Sequence, residues 1–270
     1  MKTAAMCVAD IVPFLALAGR EGWIAEAWEL EFLLDLFPAG CLVVRDGNGQ
    51  PVAFVTSLKH NRSGWIGNLI VAPEYRGKGI GELLFLAALQ ALREASVETV
   101  WLTASRMGMA LYSRHGFNRI DTILRWSGAS RQSHPVSPES GSDNNAAMLD
   151  ALAWGDRRDL LLERTMARGT SICDSHGFIT VQPCGGRFQL GSFIALDQSG
   201  AQKLLEAAQQ LIPNGSGLYL DSPALNRSAA RIYHACQLRI TGTNELMYFG
   251  VPPLYRPELL FGMATMGSCG

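Results

Sequence analysis

Residues 80–95, IGELLFLAALQALREA, constrain the fold of this chain more than any other stretch. Apolar side chains occupy so much of the helical circumference that the helix has to lie against a sheet. The strand-like run GWIGNLIV (64–71) leads in and a second, VETVWLTA (97–104), leads out. Strand, covering helix and strand make a crossover unit. The rest of the first half supplies hairpins. AGREGWIAEAWELEFLLDLF (18–37) carries apolar residues at helical spacing up to Pro38 and Gly40. CLVVRDGNGQPVAFVTSLKH (41–60) reads as two strands around a D-G-N-G turn. MGMALYSRH (107–115) reads as a short helix closed by Gly116, and FNRIDTILRW (117–126) as a last strand. The expectation is α+β, with a mixed, mostly antiparallel sheet flanked by helices.

One break in composition divides the 270 residues. SGASRQSHPVSPESGSDNN (127–145) has a single branched aliphatic side chain, Val136, and cannot offset its ordering entropy by burial. It reads as a linker between a first domain (1–126) and a second (146–270). The second half loosely repeats the first: DRRDLLLERTMA as helix, TSICDSHGFITVQP as hairpin, RFQLGSFIAL as strand, SGAQKLLEAAQQL as helix, GLYLDSP as strand. NRSAARIYHAC as helix and LRITGTNELMYFG as strand complete it. This order reads as an internal duplication. With net charge −1, nothing recruits nucleic acid or an anionic membrane. The six cysteines show no metal spacing and read as free thiols. No apolar stretch is long enough to span a bilayer, and with no signal peptide apparent a cytoplasmic location is expected.

Between strand and covering helix lies VAPEYRGKGIG, with Gly77, Gly79 and Gly81 at alternate positions and Arg76 and Lys78 among them. A helix start leaves amides unpartnered and partly positive, and glycines let an anion come close. An ordinary turn carrying two solvated cations accounts for RGKGIG alone equally well. Gly79 after Gly77-Lys78 departs from the Walker A pattern. The G-x-G-x-G spacing, with Thr103 and Ala104 closing the next strand, departs from the dinucleotide fingerprint.

R-x-x-G-x-G over Arg76–Gly81, together with ALYSRHGF (110–117), resembles the GNAT superfamily of acetyltransferases. The resemblance spans roughly residues 3–126. EGW, WIGNLIV and SRMGMALYSRHGF are similar to a bacterial two-domain GNAT type, and the second half, ending VPPLYRPELLFGMATMG, resembles the divergent second domain of that type. The resemblance implies tandem GNAT-like domains, acetyl-CoA or another acyl-CoA as donor, no metal, and a small-molecule amine as acceptor. The amine would attack directly in a ternary complex. It leaves a homodimer open.

The resemblance also implies roles. Leu69, Ile70 and Val71 would offer backbone to the pantetheine arm, an amide there polarising the acyl carbonyl. Arg76, Gly77, Lys78, Gly79, Ile80 and Gly81 would hold the diphosphate. Tyr112 stands where the family places a general acid, or it is a core aromatic. GWIGNLIV lacks the carboxylate that often serves as base, so Asn68 is a candidate orienter of water or substrate. Glu26, Glu29 and Asp35, with Glu21, are candidate weak bases or plain solvated charges. Trp23, Trp28 and Phe32 either line the acceptor pocket or pack the core. The second half lacks R-x-x-G-x-G and has Gln237-Leu238 in place of Gly-Phe, so it is expected to be structural. His176 and Asp221 suit a cleft or simple turn and strand-end positions, while His115 and His234 are expected to face solvent. Two alternatives stay open: a non-catalytic acyl-CoA-binding or scaffold protein with a degenerate cleft, and an acyltransferase using a larger acyl-CoA in a biosynthetic pathway.

Overall fold

The computed structural model describes residues 2–131 and 143–270. The chain divides into two compact units. The first is Met1–Leu102 with Phe249–Val251 and Gly267–Cys269; the second is Thr103–Tyr248 with Pro252–Met266 and Gly270.

The first unit begins with β1 (Thr3–Ala5), α1 (Ile11–Arg20) and α2 (Ala27–Leu36). The helical spacing over 18–37 therefore resolves into two helices. Gly22 adopts φ +72°, Gly22 N–H donates to Gly19 and Trp23 N–H to Ala18, a Schellman stop that ends α1. β2 (Leu42–Arg45) and β3 (Pro51–Lys59) form the expected hairpin, its turn held by Asp46 Oδ1 accepting from the Asn48 and Gln50 amides at 2.9 Å. β4 (Ser63–Val71), α3 (Ile80–Glu94) and β5 (Thr99–Ala104) form the crossover unit, and the sheet order is β1-β2-β3-β4-β5. α3 buries Ile80, Leu84, Phe85, Ala88, Leu89 and Leu92, whereas Leu83 and Leu86 remain exposed. A side chain at Gly64 would lie 2.7 Å from Leu92, so that glycine sets how closely α3 rests on β4.

The second unit opens with α4 (Met109–Arg114) and β6 (Asn118–Ala129), followed by α5 (Asp143–Trp154), α6 (Asp159–Arg168), β7 (Thr170–Cys173) and β8 (Gly177–Cys184). It continues with β9 (Arg187–Ala195), α7 (Gln198–Gln210), β10 (Gly217–Pro223), α8 (Arg227–Ala235), β11 (Arg239–Gly250) and β12 (Leu260–Gly262). Its strands run β11-β6-β10-β9-β8-β7, with β12 on β9. β9 and β10 are parallel and α7 connects them, repeating the β4-α3-β5 arrangement. β6 pairs with β10 from Gly217↔Ala129 to Pro223↔Ile123 and with β11 on its other side. The strand read as closing the first sheet therefore lies inside the second unit's sheet, between β11 and β10. Residues 127–129 extend β6 and 143–145 begin α5, while 132–142 of the expected linker lie outside the described residues.

Trp126 of β6 is fully buried in this unit's core, its indole donating to Ser222 Oγ at 3.0 Å and its ring edge-on to Tyr233. α5 and α6 are joined by a buried ion pair. Arg158 donates to Asp150 at 2.7 and 2.9 Å and lies over the Trp154 ring.

The packing of α3 makes a paired prediction. Leu84→Ala should cost about 2–5 kcal/mol in urea unfolding, while Leu86→Ala, on the same helix but exposed, should stay within about 0.5 kcal/mol. Equal losses would contradict the assigned face.

Candidate functional site

The site begins with how β4 is paired. On one edge it runs antiparallel to β3, but Phe54 faces Ile70 and Thr56 faces Gly67. Asn68 and Leu69 therefore oppose Val55 alone, a bulge of one extra residue. Asn68 carries the left-handed φ of +55° that this needs, and its amide donates to Thr56 Oγ1 at 3.1 Å. On the other edge the parallel ladder with β5 runs from Ser63↔Thr99 to Ile66↔Leu102 and ends there. Leu69–Val71 thus lie beyond the β5 ladder, an edge suited to pair with an extended chain-like ligand.

The strand delivers the chain to the glycines. Gly77 and Gly79 adopt φ +74° and +76°, conformations favourable to glycine, and Gly79 is the N-cap of α3. No side chain caps this helix. A Cβ added at Gly77 or Gly79 would meet nothing within 4 Å, so the helix start is open to an approaching anion. This fits the diphosphate end of an acyl-CoA.

The cations beside it are partly engaged. Arg76 Nε donates to the Val71 carbonyl at 2.9 Å and Arg76 Nη2 pairs with Glu21 at 2.7 Å. Lys78 donates to the Glu74 carbonyl at 3.1 Å and lies over the Tyr75 ring. Ile80 is buried and begins the helix core; Gly81 lies 3.6 Å from Val71 measured to an added Cβ.

The carboxylate candidates stand at three places: after α1, at the start of α2 and at its far end. Glu21 serves Arg76. Glu26 stands at the start of α2 and accepts from the Trp28 indole at 3.0 Å; Glu29 is in the first turn. Asp35 is exposed at the opposite end of α2, about 13 Å along the axis from Glu26. Trp28 stacks obliquely near Phe32, which is core, and Trp23 is exposed.

One contributor went unread in the sequence. Gly267–Cys269 lies on β4: the Trp65 indole donates to the Gly267 carbonyl at 3.1 Å, and any side chain at Gly67 would strike the Ser268 backbone. Ser268 and Cys269 are buried. Gly67 and Trp65 share the β4 face turned away from α3, so Gly267–Cys269 covers part of that face. A glycine inside an apolar strand was the available signal, since it marks close backbone approach.

In the second unit, Tyr112 is buried against Phe117 and Gly108, and burial pushes its hydroxyl up to about 12. His234 is exposed and edge-on to Trp126, and His115 is half-buried. His176 lies 3.5 Å from Asp197, and Asp221 is buried in a two-point pair with Arg125 at 2.7 and 2.8 Å. α7 differs from α3 at its start. Asp197 Oδ1 accepts from Gly200 N–H at 2.8 Å, so a carboxylate occupies the place that α3 leaves open. Gln237 adopts φ +61° where Gly116 has +85° in the first copy.

Comparison with known proteins places both halves of the chain in one family. Residues 9–117 match the acetyltransferase (GNAT) family and residues 146–262 a second GNAT acetyltransferase domain. A ribosomal protein bS18-alanine N-acetyltransferase of Haemophilus influenzae is 28% identical over 103 residues, 37% of this chain and 65% of the relative. A mycothiol acetyltransferase of Propionibacterium freudenreichii is 33% identical over 104 residues, 36% of this chain and 33% of the relative. The matches thus span less than two thirds of these relatives. A candidate acetyltransferase structure from Pyrococcus horikoshii superposes with TM-score 0.86 at 23% identity, over 99% of this chain and 95% of that one. A tandem GNAT protein of the clavulanic acid biosynthesis pathway does so with TM-score 0.63 at 16% identity, over 93% and 99%. With a GNAT segment in each half and the fold of tandem GNAT structures, the chain belongs to the GNAT acetyltransferase family.

Proposed function

We propose that the chain transfers an acetyl group from acetyl-CoA to the amine of a small molecule, by direct attack in a ternary complex, with the donor held by residues 69–81. The observation that carries this reading is the end of the β4–β5 ladder at Ile66, directly upstream of an uncapped, glycine-opened helix start. Leu69, Ile70 and Val71 supply backbone for the pantetheine arm, and an amide of this stretch polarises the acyl carbonyl. The amides of Gly77–Gly81 hold the diphosphate, with Lys78 adding charge and Arg76 bracing the loop through Val71 and Glu21. The donor itself supplies an activated thioester.

The amine has to lose a proton before it attacks, because amines are protonated near neutral pH. β4 carries no carboxylate, so the proton leaves by way of water, with Glu26 and Glu29 at the start of α2 as candidate acceptors. Asn68 acts through the bulge that it forms. On the family motif alone, Tyr112 is the group that meets the leaving sulfur. With its hydroxyl raised to about 12, it keeps its proton throughout the physiological range. A thiol near ~8.5 is the stronger acid, so Tyr112 stabilises the departing thiolate by donating a hydrogen bond. The carboxylate-free strand favours one alternative, an acyl-CoA-binding protein without turnover. A donor with a longer acyl chain on the same site is the other reading.

Two variants test this assignment. Gly79→Glu places a bulky anion at φ +76° facing the diphosphate, and calorimetry should show acetyl-CoA affinity falling by about 100-fold or more with the fold intact. Unchanged affinity would move the site elsewhere. Tyr112→Phe should lower thiol release, measured over a panel of primary amines, by about 100-fold with acetyl-CoA affinity preserved. Because its pKa is raised, ionisation of Tyr112 should produce no loss of activity below about pH 10. Wild-type turnover in the variant would make Tyr112 a packing residue.

A further inference from the structure

The second unit keeps the opening between its parallel strands but fills it with its own chain. β9 and β10 are paired only at Leu218↔Phe188 and Tyr219↔Gln189. Beyond that point β12 takes the space, with Leu260 opposite Ile194 and Gly262 opposite Phe193 on β9. On the β10 side, Met263 N–H donates to the Asp221 carbonyl at 2.8 Å. β12 is thus inserted as an extra strand between the two.

Four side chains, each more than nine-tenths buried, turn their donors onto this one segment. Asn226 Nδ2 donates to the carbonyls of Leu260 at 3.0 Å and Glu258 at 3.3 Å. The Tyr233 hydroxyl donates to the Phe261 carbonyl at 2.5 Å. Gln182 and Gln189 both donate to the Ala264 carbonyl, at 3.0 and 3.2 Å. Phe261 is fully buried against Phe193, and any side chain on Gly191 would strike the Met263 carbonyl. Buried donors are costly when unpaired, so this set is matched to an extended polypeptide; its departure would leave Asn226, Tyr233 and Gln189 without these acceptors, and Gln182 with the Gly191 carbonyl alone.

We propose that the groove of the second half is a strand-binding site whose resident ligand is the segment Glu258–Ala264 of the same chain. That segment lies where a GNAT domain would otherwise present its strand edge to a pantetheine arm. Tyr233, which ends the Asn226–Tyr233 helix motif as Tyr112 ends its own, donates to a peptide carbonyl. Asp197 at the start of α7 repels a diphosphate from the other end of the same slot. The chain consequently binds one acyl-CoA.

Hydrogen exchange on the full chain, with and without saturating acetyl-CoA, tests this directly. The amides of residues 260–264 should be protected, and acetyl-CoA should leave that protection unchanged. Tyr233→Phe and Asn226→Asp, the latter retaining an oxygen to cap α8, should each speed exchange there by about 10-fold or more. Acetyl-CoA affinity should stay within about twofold in both. Native mass spectrometry should count one acetyl-CoA per chain. Rapid exchange of 260–264 in the unmodified protein, exchange that rises on adding acetyl-CoA, two bound acetyl-CoA, or folded variants with unaltered exchange would each overturn the proposal. If the protein binds no acetyl-CoA, the proposed function falls, while protection of 260–264 still decides this inference.

Discussion

The ladder between β4 and β5 ends at Ile66 and Leu102, and the character of the first unit depends on that ending. Backbone donors and acceptors seek partners, so a parallel pair normally continues as far as both strands run. Here a bulge at Asn68 follows the end of the ladder, and after Leu69–Val71 a 3-10 turn, Pro73–Tyr75, carries the chain to the glycine-rich start of α3. A strand edge beyond the β5 ladder and a helix start without a side-chain cap thus follow one another within a short stretch of chain. The first suits an extended amide-bearing arm and the second a diphosphate. In the proposed reading a ligand with both parts in that order is met mainly by backbone, with Lys78 adding charge and Arg76 bracing the loop.

The two halves differ in few features at the place proposed for the ligand. Each has a parallel strand pair joined by a buried helix. In the first, the helix begins on Gly79 with open space ahead of it; in the second, Asp197 caps the helix with a carboxylate. That exchange satisfies an amide locally and places negative charge where an anion would sit. The gap between strands follows the same logic. Once β12 lies in it, the buried donors of Asn226, Tyr233, Gln182 and Gln189 have peptide carbonyls as partners.

Much of the fold could be read from local pattern. The β2–β3 hairpin, α3, and the order of elements in the second half follow from periodicity and turn residues, which act over a few positions. The split between α1 and α2 was legible in principle, since Gly22 is a typical helix-stopping residue, but apolar spacing continued across it. α5 was hidden by the polar composition just before it. The partners of β6 could not be read at all, because alternation reveals a strand's faces and not its neighbours. For the site, the glycines announced themselves, whereas the engagement of Arg76 by Glu21 and the position of Gly267–Cys269 on β4 did not. Such contacts join residues far apart in sequence, Trp65 and Gly267 among them, and no spacing rule reaches that far.

A crystal structure of the chain grown with coenzyme A decides where the donor binds. Diphosphate density should lie against the amides of Gly77–Gly81, with the pantetheine arm running along Leu69–Val71. Coenzyme A lodged between β9 and β10 instead, or a complex in which the start of α3 touches no phosphate, would contradict this placement.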